Sequence, residues 1–182
     1  ISNSFKKIGS QAIITDDPSE IANAKHLVLP GVGAFGTAME NIEPFKDVIY
    51  EHIDDGKPFL GICLGLQVLL SSSDEAPGVK GLDIFKGHVA RIPEGRKIPH
   101  MGWNQIRLTK DCPILEGVDG RDFYFVHSYH AVLDDAENLS ATADYGFDVT
   151  AAVSRDNVFA TQFHPEKSGE YGLRILKNFI EL

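Results

Sequence analysis

Apolar positions along this chain fall into short runs that alternate with segments of helical period. This is the pattern of an α/β domain with a mostly parallel sheet. Ile1, Phe5 and Ile8 fall on one helix face and Gly9 stands where a C-cap would, so the opening residues read as the back half of an amphipathic helix. A strand and a loop are expected ahead of Ile1. Gln11 to Thr15 (QAIIT) reads as a strand, Pro18 to Ala24 as a short helix capped by Asp17, and His26 to Leu29 as the next strand, closed by Pro30. Phe35 to Asp54 has helical period, interrupted at Pro44. Pro58 to Cys63 (PFLGIC) reads as a buried strand that runs straight into a helix from Leu64 to Ser71.

The second half of the chain reads differently. Val89 to Ile92, Gln105 to Leu108, Phe123 to Val132, Ala141 to Asp144, Val149 to Ser154 and Val158 to Phe163 all have strand character. Their short connections predict antiparallel pairing in part of the sheet. Leu173 to Leu182 closes the chain as an amphipathic helix built on Leu173, Leu176, Phe179 and Ile180. No repeat, low-complexity tract or linker divides the 182 residues, so one domain over residues 1–182 is expected.

Charge narrows the partners. A net charge of −9 argues against nucleic acid or an anionic membrane as the main partner, since both need a basic face. No apolar run approaches the roughly 20 residues of a membrane span, and there is no signal-peptide pattern. Two cysteines, Cys63 and Cys112, cannot build a disulfide framework, so a reduced, cytoplasmic setting is expected.

The strongest chemical signal is Gly61-Ile62-Cys63-Leu64-Gly65, at a strand-to-helix junction. It is the cysteine form of the nucleophile elbow G-x-S-x-G. A turn that sharp leaves no room for side chains at Gly61 and Gly65. It sets Cys63 at a helix N-terminus, which favours thiolate, and aims the Leu64 N–H where an oxyanion would form. The plainer reading is a buried structural cysteine. A thiolate needs a base, and Gln162-Phe163-His164-Pro165-Glu166-Lys167-Ser168 offers one. Pro165 disfavours helix at His164, and residues two apart in an extended segment share a face. His164 and Glu166 therefore read as base and orienting carboxylate; a surface turn with a solvated Glu166 is the alternative. His127, in an aromatic strand, is the second candidate base. His127 and His130 lack partners at metal-ligand spacing, and no metal or cofactor is predicted.

Gly31-Val32-Gly33-Ala34-Phe35-Gly36 matches the dinucleotide fingerprint, yet no acid stands at the end of the next strand, where the fingerprint wants one. That position is Cys63 itself. The better reading is a loop facing the sulfur, with the Val32 N–H as a second oxyanion donor.

Pro30 to Gly36 (PGVGAFG), Gly61 to Gln67 (GICLGLQ) and Gln162 to Ser168 (QFHPEKS) together resemble class I glutamine amidotransferases. Pro99 to Asn104 (PHMGWN), Tyr124 to Tyr129 (YFVHSY) and Lys167 bring the likeness nearest to glutaminase subunits of imidazole glycerol phosphate synthases, over nearly the whole chain. The resemblance implies a flavodoxin-like three-layer fold with a mixed, mostly parallel sheet. It implies a Cys63, His164, Glu166 triad that hydrolyses glutamine to glutamate and ammonia. Gly33, Gln67 and Glu75 would hold the glutamine, with backbone contacts from Ser128 and Tyr129. The implied partner is a (β/α)8-barrel cyclase subunit in a heterodimer, faced by Met101, Trp103 and Lys167. Relatives begin with a strand and a glycine- and asparagine-containing loop that are not present here. The rival readings are a related glutaminase serving another ammonia acceptor, a partner-independent γ-glutamyl cysteine hydrolase, and a non-catalytic domain on the same fold.

Overall fold

The computed structural model describes residues 1–182. Helices α1 (Ser2–Lys7) and α2 (Pro18–Asn23) precede strand β1 (Leu27–Gly31). Helices α3 (Phe35–Ile42) and α4 (Lys46–Asp54), joined by a 3₁₀ turn at Pro44, lead to β2 (Phe59–Cys63) and the one-turn helix α5 (Leu64–Gln67). Strands β3 (Ser72–Ser73), β4 (Gly87–Arg91), β5 (His100–Leu108), β6 (Asp122–His127), β7 (Tyr129–Leu133), β8 (Leu139–Asp144), β9 (Asp148–Arg155) and β10 (Val158–Thr161) follow. Helix α6 (Gly169–Ile180) ends the fold.

A seven-stranded mixed sheet in the order β1-β2-β10-β9-β8-β5-β6 forms the frame, with a smaller sheet β3-β4-β7 beside it. Strands β1, β2 and β10 run parallel, whereas β9, β8, β5 and β6 continue the sheet antiparallel. Cys63 thus ends a strand that has a parallel neighbour on each side, the carboxyl edge where α/β sheets place their ligands.

Alternation along β2 builds a core on each face. Leu60 and Ile62 pack with Phe5 of α1 and with Ile175, Leu176 and Phe179 of α6. Phe59 packs on the other face with Phe35, Met39 and Ile42 of α3, Ile49 of α4 and Leu64 of α5. The outcome is three layers, helix on sheet on helix. Phe35, Phe59 and Phe179 are wholly buried, each contributing about 1.5–3 kcal/mol by leaving water. No helix is long and apolar enough to cross a membrane.

Four sequence expectations need correction. Gln11 to Thr15 is irregular, with Ile13 and Ile14 exposed. It has no strand to pair with, and an extended segment without a ladder leaves its backbone groups unpaired. The outer edge of β1 is likewise unpaired, and between the two lies an apolar trench of about 1340 Å³. The helix expected from Leu64 to Ser71 stops at Gln67, because the carbonyls of Val68, Leu69 and Leu70 accept from Leu82, Ile84, Phe85 and Asp83 instead of from the next turn. The single strand expected from Phe123 to Val132 breaks at Ser128, and its halves join different sheets. Pro30 lies inside β1 instead of closing it, tolerated because β1 is an edge.

Candidate active site

Cys63 has φ 56° and ψ −105°, a region that L side chains rarely adopt. The surrounding glycines make that turn possible. A Cβ on Gly61 would stand 2.7 Å from the Gly65 carbonyl oxygen, one on Gly65 would land on the Leu29 carbonyl, and one on Gly31 would meet Leu64 Cβ at 2.9 Å. Gly65→Ala is therefore expected to destabilise the fold by about 3 kcal/mol, at the upper end for overpacking because the obstacle is backbone. A urea midpoint equal to the parent's would contradict the close approach of α5 to β1.

The sulfur sits among three groups. The Cys63 thiol points to the Val126 carbonyl at 3.9 Å, and the Gln162 side-chain amide donates to Sγ at 3.6 Å. Gln67 Nε2 donates to the Gln162 side-chain oxygen at 3.2 Å and to the Tyr129 carbonyl at 3.0 Å. The third neighbour is His164, whose Nε2 is buried and has no formed hydrogen bond in this resting geometry. Its Nδ1 meets Glu166 Oε1 at 2.8 Å.

The His164–Glu166 pairing arises in a slightly different way from the extended dipeptide expected. His164 is extended, but Pro165–Lys167 form a 3₁₀ turn, closed by the Lys167 N–H donating to the His164 carbonyl at 3.0 Å. Proline suits the first position of such a turn, and the turn carries Glu166 back under the ring. Burial works against a charged His164, yet the sulfur and the Glu166 carboxylate outweigh it and lift the imidazole to about 9. Burial likewise works against a charged Glu166, but the His164 hydrogen bond and charge leave it below the usual carboxylate value.

A pocket of about 410 Å³ opens over the sulfur. It is lined by Cys63 and His164, by Val32, Gly33 and Leu64, by Gln67 and Glu75, and by Val126 to Tyr129 with Lys167 at the rim. Residues 32, 33, 63, 64, 67, 75, 128, 129, 164 and 167 are thereby brought to one cavity, while Glu166 stands behind His164. Gly33 has φ +108°, which L side chains rarely adopt, with nothing near its missing Cβ, so glycine shapes the loop at the mouth. Glu75 accepts the Phe35 N–H at 2.8 Å and so ties this loop's helix to the pocket wall. The larger trench beside β1 reaches neither Cys63 nor His164.

His127 is not placed as a base. Burial drives it down to about 3, its Nδ1 donates to the Tyr129 carbonyl at 2.8 Å, and its Nε2 faces His100. No group of three or more metal-binding side chains occurs. Cys112 is buried and free, away from the pocket. Met101 and Trp103 are more than half exposed. Trp103 meets Tyr124 edge-on at 6.0 Å, and Lys167 lies over the same Tyr124 ring at 5.9 Å, so the three share one surface beside the pocket. Sequence reasoning missed Gln162. Its signal was a polar residue inside the apolar run from Val158 to Phe163, where burial demands partners.

Comparison with known proteins agrees with this geometry. The family model for class-I glutamine amidotransferase matches residues 2–182. A protein of Methanothermobacter thermautotrophicus named imidazole glycerol phosphate synthase subunit HisH is 56% identical over 182 residues, covering 100% of this chain and 91% of its own. One of the same name from Thermococcus kodakarensis is 52% identical over 188 residues, covering 100% and 94%. Among solved structures, a glutamine amidotransferase aligns with TM-score 0.74 at 22% identity over 99% of this chain and 90% of its own. The PurLQS structure from Thermotoga maritima aligns at 0.72 and 19% identity over 98% and 89%. At those identities the structural likeness speaks for the fold, while the full-length sequence matches speak for descent: the chain belongs to the class I glutamine amidotransferases.

Proposed function

We propose that this chain is the glutaminase subunit of an imidazole glycerol phosphate synthase, and that Cys63, His164 and Glu166 release ammonia from glutamine for a partner that consumes it. The single observation that carries this is the convergence of the elbow cysteine, the Glu166-held His164 and a side-chain-sized pocket at one edge of the sheet.

The Cys63 thiolate adds to the amide carbon of glutamine, and the C=O electrons move onto oxygen. The Leu64 N–H, free at the start of α5, and the Val32 N–H receive that oxyanion. As it collapses, the C–N bond breaks and His164 gives its proton to the departing nitrogen, which leaves as ammonia. Water then attacks the glutamyl thioester, His164 takes a proton from it, and the C–S bond breaks to return thiolate and glutamate. Glu166 keeps the ring oriented throughout.

Hydrogen-bond accounting refines the substrate contacts. Both Gln67 amide hydrogens are engaged, so its contribution to glutamine is the acceptor oxygen. The Tyr129 carbonyl already accepts twice, and the Ser128 carbonyl accepts from Ile92. These two residues therefore offer N–H groups, which suit the substrate carboxylate. Glu75 keeps one oxygen for the α-ammonium, and Gly33 gives the loop room.

Ammonia release without an acceptor only wastes glutamine, so the partner is part of the reading. It is a (β/α)8-barrel cyclase forming a heterodimer through Met101, Trp103 and Lys167, with exposed aromatic and thioether groups at the centre and a cation for an acidic rim. The barrel joins the ammonia to a ribulosyl-type aminoimidazole carboxamide nucleotide. The test is glutamate release by the chain alone and with that subunit plus its nucleotide. Strong stimulation is expected; high activity unmoved by the partner would favour another acceptor or a free-standing γ-glutamyl hydrolase. Lys167→Ala is expected to cut the stimulation about five- to tenfold, the loss of a desolvated charge contact, while leaving the melting temperature within about 2 °C, as for an exposed substitution. Unchanged stimulation across a partner titration would remove Lys167 from the interface.

A further inference from the structure

Two buried histidines take no part in the mechanism above. His100, on β5, is wholly inaccessible, and His127, at the end of β6, is nearly so. They belong to a hydrogen-bonded line whose ends are both carbonyl oxygens. From one end, His127 Nδ1 stands 2.8 Å from the Tyr129 carbonyl. His127 Nε2 stands 2.9 Å from His100 Nδ1. His100 Nε2 stands 2.9 Å from the Asn104 side-chain oxygen, and the Asn104 amide donates to the Asp144 carbonyl at 2.9 Å.

The direction of every bond follows from those ends. A carbonyl only accepts, so His127 Nδ1 carries a hydrogen, and so does the Asn104 nitrogen. With its nitrogen on the Asp144 carbonyl at the surface, Asn104 turns its oxygen to His100, and His100 Nε2 carries a hydrogen too. Two neutral imidazoles have two N–H groups between them, and both are now assigned. Without a further proton, two bare lone pairs would face each other at 2.9 Å in a dry interior. One additional proton on the contact satisfies every group in the line.

The surroundings speak on both sides. Burial opposes charge on both rings, strongly for His127, and His130 and His164 add like-charge repulsion there. In favour of charge, His100 lies between two aromatic faces, stacked on Tyr145 at 3.9 Å and on Phe125 at 4.8 Å. Ring faces attract a cation. The Tyr129 carbonyl and the Asn104 oxygen stabilise the charged form at its two ends. We give the contact geometry precedence, because a facing lone pair has no escape in a packed interior, whereas the cost of burial is offset by rings and acceptors already in place.

The line has a consequence for substrate. The Tyr129 carbonyl that holds His127 also accepts from Gln67, and Val126 to Tyr129 form one wall of the pocket over Cys63. We infer that His100 is a positioning residue for glutamine, which holds that wall through one proton shared with His127 and so makes glutamine affinity depend on the pair staying protonated. This rests on the glutaminase reading for its substrate.

The test uses the whole chain with ¹⁵N-labelled histidine. At neutral pH, NMR is expected to show three ring N–H groups across His100 and His127, one of them coupled to both rings. Two neutral rings with two N–H groups would overturn the shared proton, whether or not the chain hydrolyses glutamine. In steady-state glutamate release, KM for glutamine is expected to rise with pH as that proton is lost, with a midpoint matching the NMR titration. His100→Phe keeps the aromatic stack and deletes the line. It should raise KM about tenfold at neutral pH, the worth of one buried hydrogen bond, with kcat changed less than about threefold. Asn104→Asp keeps the acceptor oxygen and adds a negative charge, so it should move the KM transition to higher pH, a directional shift that mere loosening of the fold would not give. An unchanged KM in the first variant, or an unshifted transition in the second, with both melting cooperatively, would reject the positioning role.

Discussion

Cys63→Ala is expected to lower glutamine-dependent glutamate release by at least about ten-thousandfold, because it removes the only group able to form the thioester. Synthesis by the complex from supplied ammonia should stay within about twofold, the range expected when nothing in the partner's site changes. The fold should survive. Alanine at this position occupies the same unusual backbone region, at φ 56°, so no new strain enters. What is lost is packing against Val126 and the hydrogen bond from Gln162, whose amide would then lack an acceptor. An unpartnered buried amide costs about 1–3 kcal/mol, visible as a lower melting temperature but not as unfolding. The two readouts separate the rival readings. Equal glutamate release by variant and parent would refute the nucleophile and leave a non-catalytic domain. Loss of both glutamine- and ammonia-dependent synthesis would mean that the substitution disturbs the complex instead of the chemistry.

The elbow was legible in the sequence because its requirements are local. Gly61, Cys63 and Gly65 sit within five residues, which is enough to mark it; the turn itself crowds Gly61, while the obstacle at Gly65, the Leu29 carbonyl of β1, is supplied by the fold. His164 and Glu166 were legible for the same reason, although the turn between them is 3₁₀ instead of extended. Long-range partners were harder. Gln162 lies 99 positions from Cys63, and nothing but its polarity in an apolar run marked it. The His100–His127 contact links residues 27 apart through the register of β5 on β6, and no spacing rule predicts which strands will pair. The helix expected through Ser71 failed because its last carbonyls are claimed by a segment more than ten residues away. The strand expected at Gln11 to Thr15 failed because strand character is a property of a pair, and no neighbouring strand lies alongside it. The dinucleotide fingerprint shows the opposite error. Three correctly spaced glycines are consistent with several loops, and only Cys63 at the end of the adjacent strand decides which one this is.

Glu166→Gln should cost about a thousandfold in kcat/KM and also change the shape of the pH profile. Both effects come from one contact, the 2.8 Å bond from His164 Nδ1 to the carboxylate. In triads of this kind, loss of the orienting carboxylate leaves the imidazole in the wrong tautomer at large cost; an amide can present its NH₂ group to Nδ1 and force that outcome. The pH effect has a defined sign. His164 is held up at about 9 against an ordinary value of 6.5, despite burial, by Cys63 and by Glu166. The imidazolium must give its proton to the departing nitrogen, so parent activity is expected to fall as pH rises through about 9. Removing the carboxylate charge lowers the imidazole, and the alkaline limb should move to lower pH. Stability follows the same linkage. The raised His164 contributes stabilisation that is complete below 6.5 and lost as pH rises through about 9. Glu166, held below its ordinary 4.5, contributes stabilisation that is present above that value and lost as pH falls. The variant should therefore show a flatter stability profile at both ends. A thousandfold loss with the alkaline limb unmoved would mean that Glu166 acts on packing alone and that Cys63 by itself sets the protonation of His164.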